Sequence, residues 1–334
     1  VAVSSHSARV VPDYSLTLSL PGAVAPPVSR WTVLVYLAGD NELEQFALED
    51  IEEMESIGLP DDISVALLLD RHVDYADGHG DWSDTRRGIL RHDDDPEAFA
   101  TRFDSLGEQN SASGQTLADF IDWGTRVRPA ERYALVIWDH GGGLAGVCWD
   151  YTDDFDSLPI GDLADAVENT GVHFEMIGFD ACIQGMAEVV HQLEHCTDLV
   201  VASEANEPAH GWNYRVWLKS LASPAIDSGE DLATAAVQTY SRLGPAFASL
   251  SAARTDAMHD LSAALDDFAA SVTTAADDDQ WDEILRCRNL ADRFVRFNQY
   301  GQSVDLGDFL SRVADASVPA SVRQTAALAR DRLD

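Results

Sequence analysis

The fold of this chain is constrained most by two apolar stretches. Each of them leads into a residue that can take part in acyl transfer. Residues 175–188 (EMIGFDACIQGMAE) lead into Cys182 and then a helix-like pattern, and residues 133–146 (YALVIWDHGGGLAG) lead into His140 and three glycines. Each predicts a buried strand with a chemically active residue at its carboxyl end. The carboxyl ends of adjacent parallel strands meet at one sheet edge, where ligands usually bind. Cys182 and His140 are therefore predicted to face each other across a cleft.

The rest of the chain extends this alternation of strands and helices. Strands are predicted at residues 31–38, 63–69, 85–91, 133–138, 174–179 and 199–203, and helices at 114–127, 162–169 and 184–195, besides one between the first two strands. The third strand is more polar and is placed towards an edge. This order predicts an α/β fold with a mainly parallel central sheet, right-handed crossovers and helices on both faces.

Three segments are predicted along the chain. Residues 1–30, rich in Val, Ser and Pro, indicate an extended N-terminal arm, and residues 31–225 indicate the α/β domain. Residues 226–334 show no strand-like run. They are predicted to form a helical C-terminal extension, with helices at residues 231–243, 257–275, 279–297 and 305–314 and after Pro319.

The charge of the chain excludes some classes of partner. The formal net charge is −36, from 58 acidic and 22 basic residues. A nucleic-acid partner is excluded because phosphate binding needs a clustered basic surface. The excess of acid is typical of halophilic acidic proteins, whose hydrated surfaces suit high salt. No apolar run reaches the length of a membrane span, and no signal-peptide core is visible, so the compartment stays open.

The four cysteines, Cys148, Cys182, Cys196 and Cys287, are widely spaced and form no C-x-x-C pair. They predict neither a disulfide framework nor a structural zinc site. A cysteine attacks a carbonyl as thiolate, and a nearby imidazole can both activate it and protonate the leaving amine. Cys182 and His140 therefore form the minimum set for amide hydrolysis. The amides of Gly141 and Cys182 are the expected donors to the oxyanion.

The sequence resembles the clostripain family of cysteine peptidases, which are relatives of the caspases, gingipains and legumains. Four blocks carry the resemblance in the family's order: WTVLVYLAGDNELE at residues 31–44, ALVIWDHGGG at 134–143, IGFDACIQGMAEV at 177–189 and VASEANEPAHGWNY at 201–214. The resemblance implies a caspase-like α/β sandwich and cysteine endopeptidase activity on peptides or proteins.

Carried over by position, the resemblance makes Cys182 the nucleophile and His140 the general acid and base. It makes Asp180 the acid at the bottom of a pocket for the residue before the cut, which in the family is Arg or Lys. A carboxylate in a partly desolvated pocket is the partner that a guanidinium requires. The segment that follows the next strand is expected to line the same pocket and offers Ser203, Glu204 and Glu207 as further substrate-binding candidates.

The resemblance also sets expectations about processing and metals. Several relatives are matured at a basic residue between the His and the Cys, but residues 141–181 contain no Lys or Arg, so a single active chain is expected. A monomer is also expected. Some relatives require calcium. The acidic loop at residues 150–156 could hold an ion, but it lacks EF-hand spacing and a solvated loop is preferred, so calcium is possible and no metal ligand is assigned.

Parts of the same sequence also suggest other functions. The HGGG sequence at His140 is typical of serine esterases, but the G-x-S-x-G nucleophile motif is missing. Glycines after a strand can bind phosphate, but the nucleotide-binding glycine motifs are missing. His191 and His195 could share a helical face, yet no H-E-x-x-H accompanies them, and a structural role is preferred. A catalytically silent, caspase-like peptide-binding protein stays open as the alternative.

Overall fold

The computed structural model describes residues 26–95, 98–240, 249–293 and 303–333. Most of the predicted N-terminal arm, residues 1–25, lies outside this part of the chain. The predicted helix at 231–243 and the predicted helix at 279–297 each extend past it at their C-terminal ends. None of the helices in the described ranges combines the length and the hydropathy that a membrane span needs.

An eight-stranded sheet forms the centre of the molecule, in the order β10-β9-β8-β5-β1-β2-β3-β4. The strands are β1 (Ser29–Gly39), β2 (Ile63–Arg71), β3 (Thr85–Ile89), β4 (Asp104–Gly107), β5 (Ala130–Trp138), β8 (Met176–Asp180), β9 (Leu199–Ala202) and β10 (Ser251–Arg254). The five central strands, β9, β8, β5, β1 and β2, are mutually parallel, whereas β3, β4 and β10 pair antiparallel. A separate hairpin is made by β6 (Val147–Asp150) and β7 (Asp156–Leu158).

Helices cover both faces of the sheet, as the apolar strands predict. They are α1 (Glu44–Glu55), α2 (Gly114–Val127), α3 (Ile160–Thr170), α4 (Ala187–Gln192), α5 (Tyr214–Ser220), α6 (Gly229–Tyr240), α7 (Met258–Ala275), α8 (Asp278–Leu290), α9 (Leu306–Ala314) and α10 (Ala320–Arg330). Alternate residues of β1 enter two different cores because successive side chains of a strand point to opposite faces. Leu34 and Tyr36 join the core under α2 and α3, and Val33 and Val35 join the core under α1, α5 and α6.

The mainly parallel α/β architecture is confirmed, and several details differ from the prediction. The expected helix at 184–195 is shortened to α4, because Met186 has an extended backbone and the amides of Ile183 and Gly185 bind the preceding segment to Ala205 O and Ser203 O. The expectation of no strand beyond residue 226 is wrong, since β10 pairs with β9. Its sequence, SAAR, is short and lacks the β-branched and aromatic residues that mark a strand. Strand β4, the β6–β7 hairpin and helix α5 were also not predicted.

The C-terminal helices α7 to α10 form an apolar cluster of their own, which includes Phe268, Leu310 and Val322. The N-terminal turns of α7 also contribute Met258 and Leu261 to the core of the sheet. The division of the chain at residue 226 remains a prediction. Beyond that point, both α6 and β10 are packed into the sheet domain.

Candidate active site

The pairing of two central strands brings the predicted dyad together. β5 and β8 are adjacent and parallel, and Trp138 is paired with Asp180 in the register. His140 and Cys182 each lie two residues beyond this pair. The backbones are in close contact beyond the strands: a Cβ atom added to Gly141 would lie 2.0 Å from the carbonyl oxygen of Cys182. The segment after β5 therefore passes directly against the backbone of Cys182.

This close approach makes a side chain at residue 141 costly. We expect Gly141→Ala to displace the Cys182 backbone and to lower kcat by at least about 100-fold, since misplacement of reacting groups by about 1 Å can cost that much. Gly161→Ala is a matched control, because its Cβ would meet nothing closer than 3.9 Å. Steady-state kinetics on both variants is the measurement, and equal activities would contradict the proposed role of this contact.

Cys182 is partly exposed, with its thiol held against the loop that follows β9. The Glu207 N–H donates to Cys182 Sγ at 3.2 Å. Burial raises the pKa of the Cys182 thiol, and the negative charges of Asp180 and Asp139 add to this, while the Glu207 amide opposes it. The free thiol is therefore kept protonated at neutral pH.

His140 is half-buried between an acid and an aromatic ring. Its Nε2 atom lies 3.3 Å from Glu42 Oε1, although the two are not aligned for a hydrogen bond, and its ring stands edge-on to Trp149. Burial lowers the pKa of His140, and Glu42 partly opposes the shift. A neutral imidazole on the strand end next to that of a neutral thiol is of a type that can accept the thiol proton as the thiol attacks.

The loop that carries His140 is held by a buried amide and carboxyl pair. Asn41 Nδ2 donates to Asp139 Oδ1 at 2.7 Å, to Ala38 O at 3.1 Å and to Trp149 O at 3.0 Å. Asp139 also accepts from the Trp149 N–H. These contacts join the carboxyl ends of β1 and β5 to the β6 strand, and so fix the backbone on which His140 stands.

Two carboxyl groups lie next to Cys182, and neither has a cationic partner among the described residues. Asp180 is buried at the end of β8 and accepts from the Trp212 N–H at 3.2 Å. Both carboxylate oxygens of Glu207 are buried and have no hydrogen-bond partner among the described residues. Burial raises the pKa of Asp180 to about 6, and burial together with the charge of Asp180 raises that of Glu207.

Aromatic side chains and a third acid surround this pair. The hydroxyls of Tyr214 and Tyr240 lie near Asp180 and Glu207 respectively, without hydrogen-bond alignment. Asp50 of α1 accepts from Trp138 Nε1 at 2.8 Å, and its pKa is raised by burial and by Asp180. The surroundings are apolar and rich in carboxyl groups, which suits a long side chain with a positive end.

A glycine allows this carboxyl group to be covered so closely. Gly211 has a φ of +49°, and a Cβ added there would lie 2.2 Å from Asp180 Oδ1. Glycine is therefore required at this position for two reasons. It adopts the left-handed backbone conformation readily, and any side chain would collide with the Asp180 carboxylate. The turn brings the Trp212 amide to the carboxylate.

The other two predicted substrate-binding residues are placed differently. Ser203 is fully buried, and its hydroxyl donates to Ala205 O at 2.9 Å, which braces the loop after β9. Glu204 is half-buried, and burial and the charge of Asp305 raise its pKa. The structure thus brings Glu207, but neither Ser203 nor Glu204, to Asp180 and Cys182.

Several residues of the site were missed by the sequence reasoning. Asp40, Asn41 and Glu42 follow the carboxyl end of β1, so the strand-end argument that found His140 applied to them equally. Asp50 and Tyr214 come from helices α1 and α5, and nothing in their local sequence marks them as pocket residues.

Comparison with known proteins supports the fold and identifies the family. The sequence model that describes the clostripain family matches residues 35–331. Clostripain from Hathewaya histolytica is 29% identical over 60% of this chain, and the match spans 44% of clostripain's own length. A secreted C11 cysteine protease from Bacteroides thetaiotaomicron, solved with an irreversible peptide inhibitor, is 25% identical with a TM-score of 0.61, covering 74% of this chain and 72% of the other. An inactive zymogen C11 protease from Parabacteroides distasonis shares the fold, with a TM-score of 0.70 at 22% identity over 92% and 82% of the two chains.

The fold and the paired strand ends define a protein of the caspase-like α/β class, with a cysteine and a histidine at the carboxyl edge of its sheet. Within that class, the chain belongs to the clostripain family of cysteine peptidases, since the family model covers most of its length.

Proposed function

We propose that this chain is a cysteine endopeptidase that cleaves peptide bonds after Arg or Lys. The observation that carries the proposal is the pair of acids, Asp180 and Glu207, beside Cys182 with no cationic partner among the described residues. Keeping such groups charged and unpaired in a buried site is costly, so a bound guanidinium or ammonium group would relieve that cost. A neutral or acidic side chain would not.

In the proposed reaction, Cys182 Sγ attacks the carbonyl carbon of the scissile bond while His140 takes the thiol proton. The amides of Gly141 and Cys182 are proposed to donate to the oxyanion of the tetrahedral intermediate. His140 then gives its proton to the leaving amine, which leaves a thioester on Cys182. Water activated by His140 hydrolyses the thioester and restores the thiol.

The pocket also offers a way for the substrate to activate the nucleophile. Asp180 is one of the charges that raise the pKa of Cys182. A positive side chain between Asp180 and Glu207 would compensate that charge and so lower the pKa of the thiol. Binding of a basic residue would therefore favour both recognition and attack, and kcat as well as KM should depend on the charge of that residue.

A panel of matched fluorogenic peptides ending in Arg, Lys, Leu or Asp tests the proposal, in molar KCl with reductant. We expect cleavage after Arg and Lys that is lost in Cys182→Ala and kept in Cys196→Ala, which removes a buried thiol elsewhere. Cleavage after Asp, or equal cleavage of all four peptides, would contradict the specificity. Tight binding of the Arg peptide without turnover would instead indicate the silent peptide-binding alternative.

A further inference from the structure

A row of aromatic side chains continues the carboxyl edge of the sheet beyond the dyad. Asp180 and Cys182 lie at and just after the end of β8, and His140 follows β5, the next strand in the sheet. Next in the sheet are β1 and β2, which are followed in the chain by Glu42 and Tyr75. In the order of the strands, this region lies on the far side of His140 from the Asp180 pocket.

The row begins beside the catalytic imidazole and is carried mostly by the β6–β7 hairpin. Trp149 stands edge-on to His140, with the ring centroids 6.4 Å apart. The hydroxyl of Tyr151 interacts with the carboxylate of Glu42. The Oε1 atom of Glu42 in turn lies 3.3 Å from His140 Nε2. The hairpin therefore borders the space into which a group leaving the dyad would move.

Two exposed rings extend the row away from His140. The ring of Phe155 packs on that of Tyr151 with the centroids 4.6 Å apart, and the ring of Tyr75 stands edge-on to Tyr151 at 6.3 Å. Phe155 is 67% exposed and Tyr75 is 48% exposed. Single exposed apolar side chains are common in proteins, but a contiguous apolar patch beside a site is typical of a binding surface.

Phe155 occupies a position that the fold alone does not explain. The Asp156 N–H donates to Asp153 O at 3.1 Å, which closes a tight turn with Asp154 and Phe155 at its centre. Both central residues have a left-handed backbone, with φ values of +59° and +58°. Hairpin turns of this kind favour Gly at the second central position, and a bulky residue rarely adopts this conformation. A contact between Phe155 and a ligand would account for the aromatic side chain.

We propose that Tyr75, Tyr151 and Phe155 form a subsite for an aromatic residue on the C-terminal side of the cut. This inference rests on the proposed peptidase function and extends it to the leaving half of the substrate. His140 gives its proton to the leaving amine, so the segment after the cut passes beside His140 and away from the Asp180 pocket. An extended peptide advances about 3.3–3.6 Å per residue, so its second or third residue after the cut reaches the row.

The surroundings of the row define the residue that fits it. Aromatic rings pair edge-on or in offset stacks, and covering a Phe or Tyr ring removes a large apolar area from water. Asp154 and Asp156 are exposed on the same turn, so they would repel an acidic residue at this position of the substrate. Molar salt screens exposed charges but leaves the ring contact in place, and the aromatic preference is therefore the effect to measure.

Internally quenched peptides test the subsite on the full chain, in molar KCl with reductant. All carry Arg before the cut, and the second or third residue after it is Phe, Ala or Asp. We expect kcat/KM to be at least about tenfold higher for Phe than for Ala, mainly through a lower KM, because the ring adds binding energy far from the reacting atoms.

An arginyl aminocoumarin peptide separates the two claims, because it has no residue after the cut. Cleavage of this peptide, together with equal kcat/KM for the Phe and Ala peptides, would overturn the subsite and leave the proposed function standing. Failure to cleave any arginyl peptide would overturn the proposed function and the subsite with it.

Phe155→Gly distinguishes recognition from folding. Glycine suits the left-handed position, so the variant should have a Tm equal to or above that of the parent. It should nevertheless cleave the Phe and Ala peptides equally. Trp281→Ala, which removes an exposed aromatic side chain from α8, is the matched control and should keep the parent's preference.

Two results with the Phe155→Gly variant would contradict the proposal. A folded variant that still prefers the Phe peptide would overturn the subsite. A dimer that the parent forms and this variant loses, with the substrate preference unchanged, would also overturn it and assign the row to contact between two copies of the chain. Sedimentation of both proteins in molar KCl makes that comparison.

Discussion

Replacing Asp180 by Asn is expected to lower kcat/KM for an arginyl peptide by roughly 100- to 1,000-fold. A buried cation that loses its charged partner costs about 3–5 kcal/mol, and Glu207 remains to offset part of that loss. Asn keeps an oxygen that can accept from the Trp212 N–H, so the turn at Gly211 should persist. Kinetics with arginyl and leucyl peptides separates the effects, because cleavage of the leucyl peptide should change little.

The same substitution should stabilise the free protein above pH 6. The pKa of Asp180 is raised to about 6, so the folded state favours its neutral form. Its contribution to stability is present below about pH 3.9, the unfolded value, and is lost as pH rises through 6. We therefore expect Asp180→Asn to raise the free energy of unfolding at pH 7–8 by roughly 1–3 kcal/mol. For the parent enzyme, kcat/KM on arginyl peptides should fall as pH drops below 6, since the free pocket becomes neutral.

Glu204→Gln serves as the matched control for Asp180→Asn. It removes an acid from the same stretch of chain, but Glu204 faces Asp305 and lies outside the Asp180 cluster. A similar loss of arginine preference in both variants would indicate that general negative charge, and not the Asp180 pocket, selects the substrate.

Replacing His140 by Ala is expected to lower kcat by about 1,000- to 10,000-fold near neutral pH, towards the upper end of what a general base contributes. Burial raises the pKa of Cys182 and lowers that of His140, so the thiol does not ionise unaided near pH 7. In the parent, activity should rise with pH as His140 loses its proton, and burial places that pKa below the usual value for histidine. In His140→Ala it should rise only at alkaline pH, as Cys182 itself loses its proton.

The pH profile distinguishes this role from a structural one. His191→Ala, at a half-exposed position on α4, should leave both kcat and the profile unchanged. A His140→Ala variant with reduced activity but the parent's pH profile would mean that another group takes the proton from Cys182.

Strand ends could be predicted from the sequence because the information that defines them is local. Apolar runs that stop at Trp138 and Asp180 are visible in the chain itself, and the rule that parallel strands share an edge placed His140 and Cys182 together. The same rule applies to Asp40, but one acid among 58 acidic residues is not by itself a sign of function.

The rest of the pocket depends on tertiary packing that no local pattern encodes. Asp50 and Tyr240 lie on helices α1 and α6, and each becomes a pocket residue only because its helix packs on the face of the sheet below Asp180. The shortening of α4 has a similar origin. The amides of Ile183 and Gly185 are bonded to the loop after β9, a partner that sequence periodicity does not reveal.

Covalent labelling tests the central claim most directly. An acyloxymethyl ketone carrying an arginyl peptide is added in molar KCl, and the modified residue is identified by peptide mass spectrometry, with an aspartyl analogue in parallel. The account predicts a single adduct on Cys182 from the arginyl reagent, since Cys148, Cys196 and Cys287 are buried and the pKa of each thiol is raised. An adduct on another cysteine, or equal labelling by the aspartyl analogue, would contradict it.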